Sequence, residues 1–148
     1  MMSKLKIVLP VLLVVLGGVY KFVLAKPAVV PKPKVAGQVY IMPKDFLINL
    51  KGGRFAKLDA ALVLKEGYLD AEVAKLGKEA PPPPAGYGTL PQEAVVRSVI
   101  TDALTDEPAS RLQHASTRLK LQKSILKRIK KDTDVEIEDV LFTDVAIQ

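Results

Sequence analysis

Phe46-Leu47-Ile48-Asn49-Leu50-Lys51-Gly52-Gly53-Arg54-Phe55-Ala56-Lys57-Leu58-Asp59-Ala60-Ala61-Leu62-Val63-Leu64 is the stretch on which the fold turns. On its C-terminal side Ala56, Leu58, Ala60, Leu62 and Leu64 oppose Phe55, Lys57, Asp59 and Ala61, a period of two. Two is the side-chain repeat of a strand, whose successive residues point to opposite faces. The Gly-Gly pair between the two runs supplies the positive-φ residues that a tight reversal requires, so the segment reads as a β-hairpin. Upstream, Gln38 to Leu50 alternates loosely and reads as the first strand.

Downstream, Glu66 to Leu90 changes character. Asp70–Lys78 has the composition of a short helix, and Ala80-Pro81-Pro82-Pro83-Pro84-Ala85-Gly86-Tyr87-Gly88 follows. Four prolines remove four backbone donors and fix φ, which excludes a sheet or helix interior and predicts a protruding loop. A proline run is also the chemistry that an aromatic-lined groove recognises, against the plainer reading of a solvated connector. Thr89-Leu90-Pro91-Gln92-Glu93 opens a helix with Pro91 in its first turn. Val95, Val96, Val99, Ile100, Ala103 and Leu104 fall on one arc of it. Thr105-Asp106-Glu107-Pro108 breaks that helix. A second, from Ala109 to Lys131, places Leu112, Ala115, Leu119, Gln122, Ile125, Leu126 and Ile129 on one arc, with Leu121 at its edge.

After the turn Lys131-Asp132-Thr133-Asp134, the segment Val135–Gln148 is rich in β-branched and aromatic residues. Its alternation slips at Glu138-Asp139, which predicts a bulge there. The expected order is β-β-loop-α-α-β, an α+β domain over 38–148 with a Pro/Gly-rich insertion at 66–90, packing each helix's apolar stripe on the sheet.

The region before the hairpin is of another kind. Leu5–Leu24 is almost uninterruptedly apolar, and twenty residues at about 1.5 Å each span about 30 Å, one hydrocarbon thickness. Lys6 and Lys21 lie near its ends, where long amines reach the headgroups. Residues 1–25 therefore read as a short tail and transmembrane helix. A cleaved signal peptide, with Lys4 and Lys6 as its basic region and Val23-Leu24-Ala25 as its cleavage site, is the competing reading. Flanking lysines leave the orientation open: counting slightly favours a cytoplasmic body, whereas the signal-like layout favours export. Lys26–Gly37, with Pro27, Pro31 and Pro33, is a polyproline-biased linker of up to about 37 Å. It is a spacer or, through Lys26, Lys32 and Lys34, a strip for anionic headgroups or an acidic partner.

The whole chain of 148 residues carries 22 basic and 16 acidic side chains, a net charge of +6. All six excess charges lie in residues 1–34, which contain six lysines and no acid. The other 16 bases face all 16 acids, so the body is neutral and has no global field to steer nucleic acid. It does have local polarity. Arg118, Lys120, Lys123, Lys127, Arg128, Lys130 and Lys131 fall mostly on the polar arc of the second helix, either a solvated face or a contact for an acidic partner. No aromatics interleave them, which argues against single-stranded nucleic acid. On a strand, Asp134, Glu136 and Glu138 share one face, a counterpart that permits head-to-tail contact between copies.

Catalytic signals are absent. The chain has no Cys and one His, which removes disulfides, thiolate chemistry and His-based metal cages. His114, near the apolar arc, reads as a partly buried packing residue. No phosphate loop, dinucleotide fingerprint or nucleophile elbow occurs. The sequence therefore points to no catalytic, cofactor-binding or metal-ligating residue.

The layout resembles the flagellar basal-body-associated FliL family. The residues that carry the likeness are the Asn49-Leu50…Gly53-Arg54 hairpin and the ending Phe142-Thr143-Asp144-Val145-Ala146-Ile147-Gln148, within the order anchor, Pro-rich linker, hairpin, helices, strand. The resemblance implies a single-pass inner-membrane protein with a periplasmic body at the flagellar base and a domain similar to the stomatin type. It also implies a homo-oligomeric ring around stator units that supports torque, with partners in the bilayer and the stator, no nucleic acid and no cofactor. The tetraproline loop departs from the family pattern. The alternative is a secreted or membrane-anchored envelope binding module unrelated to flagella, with an envelope enzyme dependent on His114 as a distant third.

Overall fold

The computed structural model describes residues 35, 37–77 and 81–148. The expected membrane anchor Leu5–Leu24, and Lys26, Lys32 and Lys34, lie outside these. Among the described residues, no helix is long and apolar enough to cross a membrane. The described region is a mixed α and β domain of four strands and four helices: β1 Gln38–Ile41, β2 Phe46–Leu50, β3 Arg54–Leu64, α1 Tyr68–Leu76, α2 Glu93–Leu104, α3 Ala109–Gln113, α4 Ala115–Asp132 and β4 Ile137–Ile147.

The hairpin is present. β2 and β3 pair antiparallel, with Phe46 opposite Leu58 and Leu50 opposite Arg54. Gly52 and Gly53 turn the chain with φ of 83° and 72°, which side-chain-bearing residues rarely adopt. The first strand is not continuous. β1 pairs with the far end of β3, Gln38 opposite Leu64 and Ile41 opposite Ala61. Between the two pairings, four residues, Met42–Asp45, stand opposite two, Asp59 and Ala60. Pro43 sits in this kink, where a missing N–H costs no ladder bond. Both segments lie along one edge of β3, because β4 occupies its other edge from Ala56 to Leu64.

β4 is bulged where the alternation slips. Leu64 pairs with Ile137 and Val63 with Asp139, leaving Glu138 unpaired. A second bulge falls at Thr143, between the pairs Ala60–Phe142 and Asp59–Asp144. Each bulge inserts one residue, so Ile137, Val140, Phe142, Val145 and Ile147 all point to the same side although their spacing is irregular. The ladder continues past β4: Gln148 N–H donates to the Phe55 carbonyl (2.9 Å) and Phe55 N–H to that of Gln148 (3.0 Å).

All helices that bury residues in the core lie on one face of this sheet. Ile48, Leu58, Leu62, Leu64 and Val140 meet Val96, Ile100 and Leu104 of α2, Leu112 of α3 and Leu121, Ile125 and Ile129 of α4. The α2–α3 connection also covers the rim of β2. Asp106 N–H donates to the Asn49 carbonyl (3.0 Å) and Lys51 N–H to that of Glu107 (3.1 Å).

Three helical expectations need correction. α2 starts at Glu93, and Gln92 before it is left-handed (φ 57°), so Pro91 belongs to the preceding turn. The stretch Ala109–Lys131 is two helices, broken at His114, which is extended and exposed instead of partly buried. The freed carbonyls at the break are satisfied locally. Thr117 Oγ1 donates to the Arg111 carbonyl (2.9 Å), and Arg118 Nη1 donates to that of Leu112 (3.0 Å). The break resets the helical phase, so Leu121 is buried while Leu119 and Ala115 are exposed. The region 66–90 contains α1, close to the short helix expected at Asp70–Lys78.

Candidate interaction surfaces

The sheet's second face has no helix against it among the described residues. It carries Val39 and Ile41 of β1, Leu47 of β2, and Phe55, Lys57, Asp59, Ala61 and Val63 of β3, by alternation with the core residues. Cross-strand register adds Asp139, Leu141 and Asp144 of β4, opposite Val63, Ala61 and Asp59. Ile41 is 68 % and Leu47 76 % exposed. Two aspartates, Asp59 and Asp144, face each other directly across the ladder, a like-charge pairing that costs stability unless a cation intervenes. Lys57 supplies one. Its ammonium contacts Asp45 at 3.0 Å, and its pKa is raised by the Asp45 hydrogen bond first, then by the charges of Asp45, Asp59 and Asp144. The same hydrogen bond and charge hold the Asp45 carboxyl below its ordinary range.

The second surface is the outward side of α4. Lys120, Lys123, Lys127, Arg128, Lys130 and Lys131 are exposed. None of the six joins an ion pair among the described residues. The helical period brings Lys123, Lys127 and Lys130 to one stripe, opposite buried Leu121, Ile125 and Ile129. Of the acids expected as their counterpart, Asp134 and Glu136 precede β4, which begins at Ile137. Their shared strand face with Glu138 is therefore not formed. Asp134 accepts from Gln92 Nε2 (3.2 Å), Glu136 pairs with Lys65 (2.7 Å), and Glu138 sits in the bulge. The acids that do share a sheet face are Asp59, Asp139 and Asp144. Asp59 was legible by alternation within β3, but Asp144 needed the second bulge to be aligned with it.

A buried polar hub holds the proline segment to the sheet. Glu93 is 3 % exposed. Its Oε2 accepts from Tyr40 Oη and from the Gly88 N–H, each at 2.7 Å. The fit is tight: a Cβ on Gly88 would lie 1.9 Å from Tyr40 Oη. Burial, and then the Glu93 carboxylate, push the Tyr40 hydroxyl well above the ordinary tyrosine pKa. Glu93 Oε1 is buried with no hydrogen-bond partner, and its nearest cation is Arg97 at 4.0 Å. Arg97 is committed elsewhere. It donates to the Lys44 (2.9 Å) and Asp45 (3.1 Å) carbonyls of the β1–β2 kink and stacks on Phe46, 4.3 Å from the ring centre. One helical turn thus clamps the kink and the loop end together. The i, i+4 Glu-Arg spacing was visible in the sequence; its inward direction was not.

Pro81–Pro84 are exposed, and Pro81, Pro82 and Pro83 with Glu72 and Val73 of α1 line an apolar cleft of about 390 Å³. Few polar groups line it. Among the described residues, no three His, Asp or Glu side chains gather at metal-binding spacing.

The geometry is that of a packed core with two broad, oppositely charged surfaces. A family model described as flagellar basal body-associated protein FliL matches residues 39–148, which is all of the sheet and helix layer but Gln38. No curated protein matches the chain.

Proposed function

We propose, from the premise that the chain belongs to the flagellar basal body-associated protein FliL family, that it supports the motor's stator units from the inner membrane. Basal-body association follows from the family itself, a structural component of the flagellum. The rest is our reading of the chain. Leu5–Leu24 anchors the protein as a single span with the body in the periplasm. Lys26–Gly37 sets the height of the domain and meets a stator or the bilayer surface through Lys26, Lys32 and Lys34. The domain 38–148 assembles with itself into a ring around the stator, and Lys123, Lys127, Lys130, Asp134, Glu136 and Glu138 are candidate contacts. The work is mechanical and needs no cofactor.

The observation that carries this reading is the family match, which runs from β1 to the last residue. The charge pattern supports a protein–protein role: the segment Lys26–Gly37 carries three lysines and no acid, and six exposed bases of α4 make no ion pair among the described residues. The test is a fluorescent fusion in swimming cells, with a clean deletion beside it. Foci that coincide with stators at the flagellar base, and slowed or lost motility on deletion, are expected. A diffuse membrane signal in motile cells, with normal swimming and swarming after deletion, would point to an envelope module without a flagellar role.

A further inference from the structure

The two uncovered surfaces lie on opposite sides of a two-layer domain. The helices bury their apolar stripes on one face of the sheet, so α4 turns its cationic stripe away from it, and the sheet face that no described helix covers looks the other way, with Ile41 and Leu47 exposed on it and Ala61 and Val63 buried. Each surface lacks what the other has. Asp59, Asp139 and Asp144 make no ion pair among the described residues, and Lys57, the base beside two of them, is already engaged by Asp45. The six exposed bases of α4 are likewise unpaired. Both surfaces also expose apolar area in their midst: Ile41 at 68 % on the sheet, and Leu119 at 49 % beside the basic stripe.

We propose that the bare sheet face of one copy receives the basic outer face of α4 from a second copy, aspartates Asp59 and Asp144 meeting Lys123 and Lys127, and Ile41 meeting Leu119. Packing like on like is disfavoured, because it would bring cation to cation or acid to acid. The contact is therefore heterologous. Repetition of a heterologous contact either closes into a ring or runs on as an open chain. A sheet with one covered face gains its missing layer from the neighbour's helix. The charges orient and accelerate the encounter, while the apolar residues are shielded from water by it. This inference rests on the reading that the domain assembles with itself, and it moves the acidic partner from Asp134 and Glu136 to the sheet.

The chain contains no cysteine, so crosslinking can be made unambiguous. The full-length protein in its native membranes, carrying Lys123→Cys and Asp144→Cys together, is oxidised and run without reductant. A ladder of multimers is expected from the double variant, and no ladder from either single variant. In parallel, full-length protein in detergent is sized by light scattering. Lys123→Glu with Lys127→Glu should weaken association about tenfold or more at low salt, and adding Asp59→Lys with Asp144→Lys should restore it. Thermal melts matching the parent confirm that each variant is folded. Assembly unchanged by the reversal, or not restored by the swap, overturns the proposed surface while leaving self-assembly standing. Binding of anionic vesicles lost on reversal with assembly intact also overturns it, in favour of a lipid contact. A parent protein that is monomeric in membranes defeats the self-assembly reading itself.

Discussion

The two faces of the central strand β3 obey different rules. Inward, Ala56, Leu58, Ala60, Leu62 and Leu64 form an unbroken apolar row, each no more than 1 % exposed. Outward, Phe55, Lys57, Asp59, Ala61 and Val63 mix an aromatic, a base, an acid and two small apolar residues. The inner row answers to close packing, where one methylene is felt. The outer row is graded instead: Phe55 is 48 % exposed, whereas Ala61 and Val63 toward its end are buried, although no helix lies against this face among the described residues. Stability is written on the inner side, the proposed association would use the outer one, and mutations should separate the two.

The largest effect is expected inward. Leu62→Ala should cost about 2–5 kcal/mol, read by urea denaturation, because the lost contacts leave a cavity between β3 and the helices. A loss of well under that range would mean that the sheet and helix layers repack freely. Glu93→Ala should cost about 2 kcal/mol, since it strands the Tyr40 hydroxyl and the Gly88 N–H inside. It should also loosen the proline segment, as faster proteolysis between Pro81 and Gly88.

Tyr40→Phe is milder, about 1 kcal/mol at neutral pH, but carries a sharper signature. The tyrosine pKa is raised in the folded state, so its contribution is complete below the unfolded value of 10.0 and is lost as pH rises above it. The parent should lose stability steeply above pH 10.0, and the phenylalanine variant should lose less over the same range. Equal slopes would place the hydroxyl outside the hub. The smallest effect on stability is expected on the outer face. Leu47→Ser should change the unfolding free energy by no more than about 0.5 kcal/mol. A large loss there would show that the outer face is part of the core after all.

The same contrast explains how much could be read in advance. The hairpin was legible because β3's inner row repeats with period two and the turn contains two glycines. The bulge at Glu138 was legible because burial forces Ile137 and Val140 to the same side despite their spacing. The kink at Met42–Asp45 was missed although Pro43 marks it, because the residues on either side still alternate. The break at His114 carries no Gly or Pro. It is held by Thr117 and Arg118 reaching back to carbonyls of α3, a choice made by tertiary geometry. The cationic stripe was legible from the helical period. The strand face expected to align Asp134, Glu136 and Glu138 does not form, because β4 begins two residues later than its composition indicates.

The pairing of β3 with β4 also constrains when the domain can form. β3 ends at Leu64 and β4 starts at Ile137, so the central strand finds its second neighbour only across more than seventy intervening residues. Contacts of such long sequence separation are slow to close, and here they involve the last strand of the match. While Ile147 is still inside the ribosome, β3 has one open edge and the inner row is only partly covered. The nascent chain is therefore held short of its folded state until synthesis of β4 is complete.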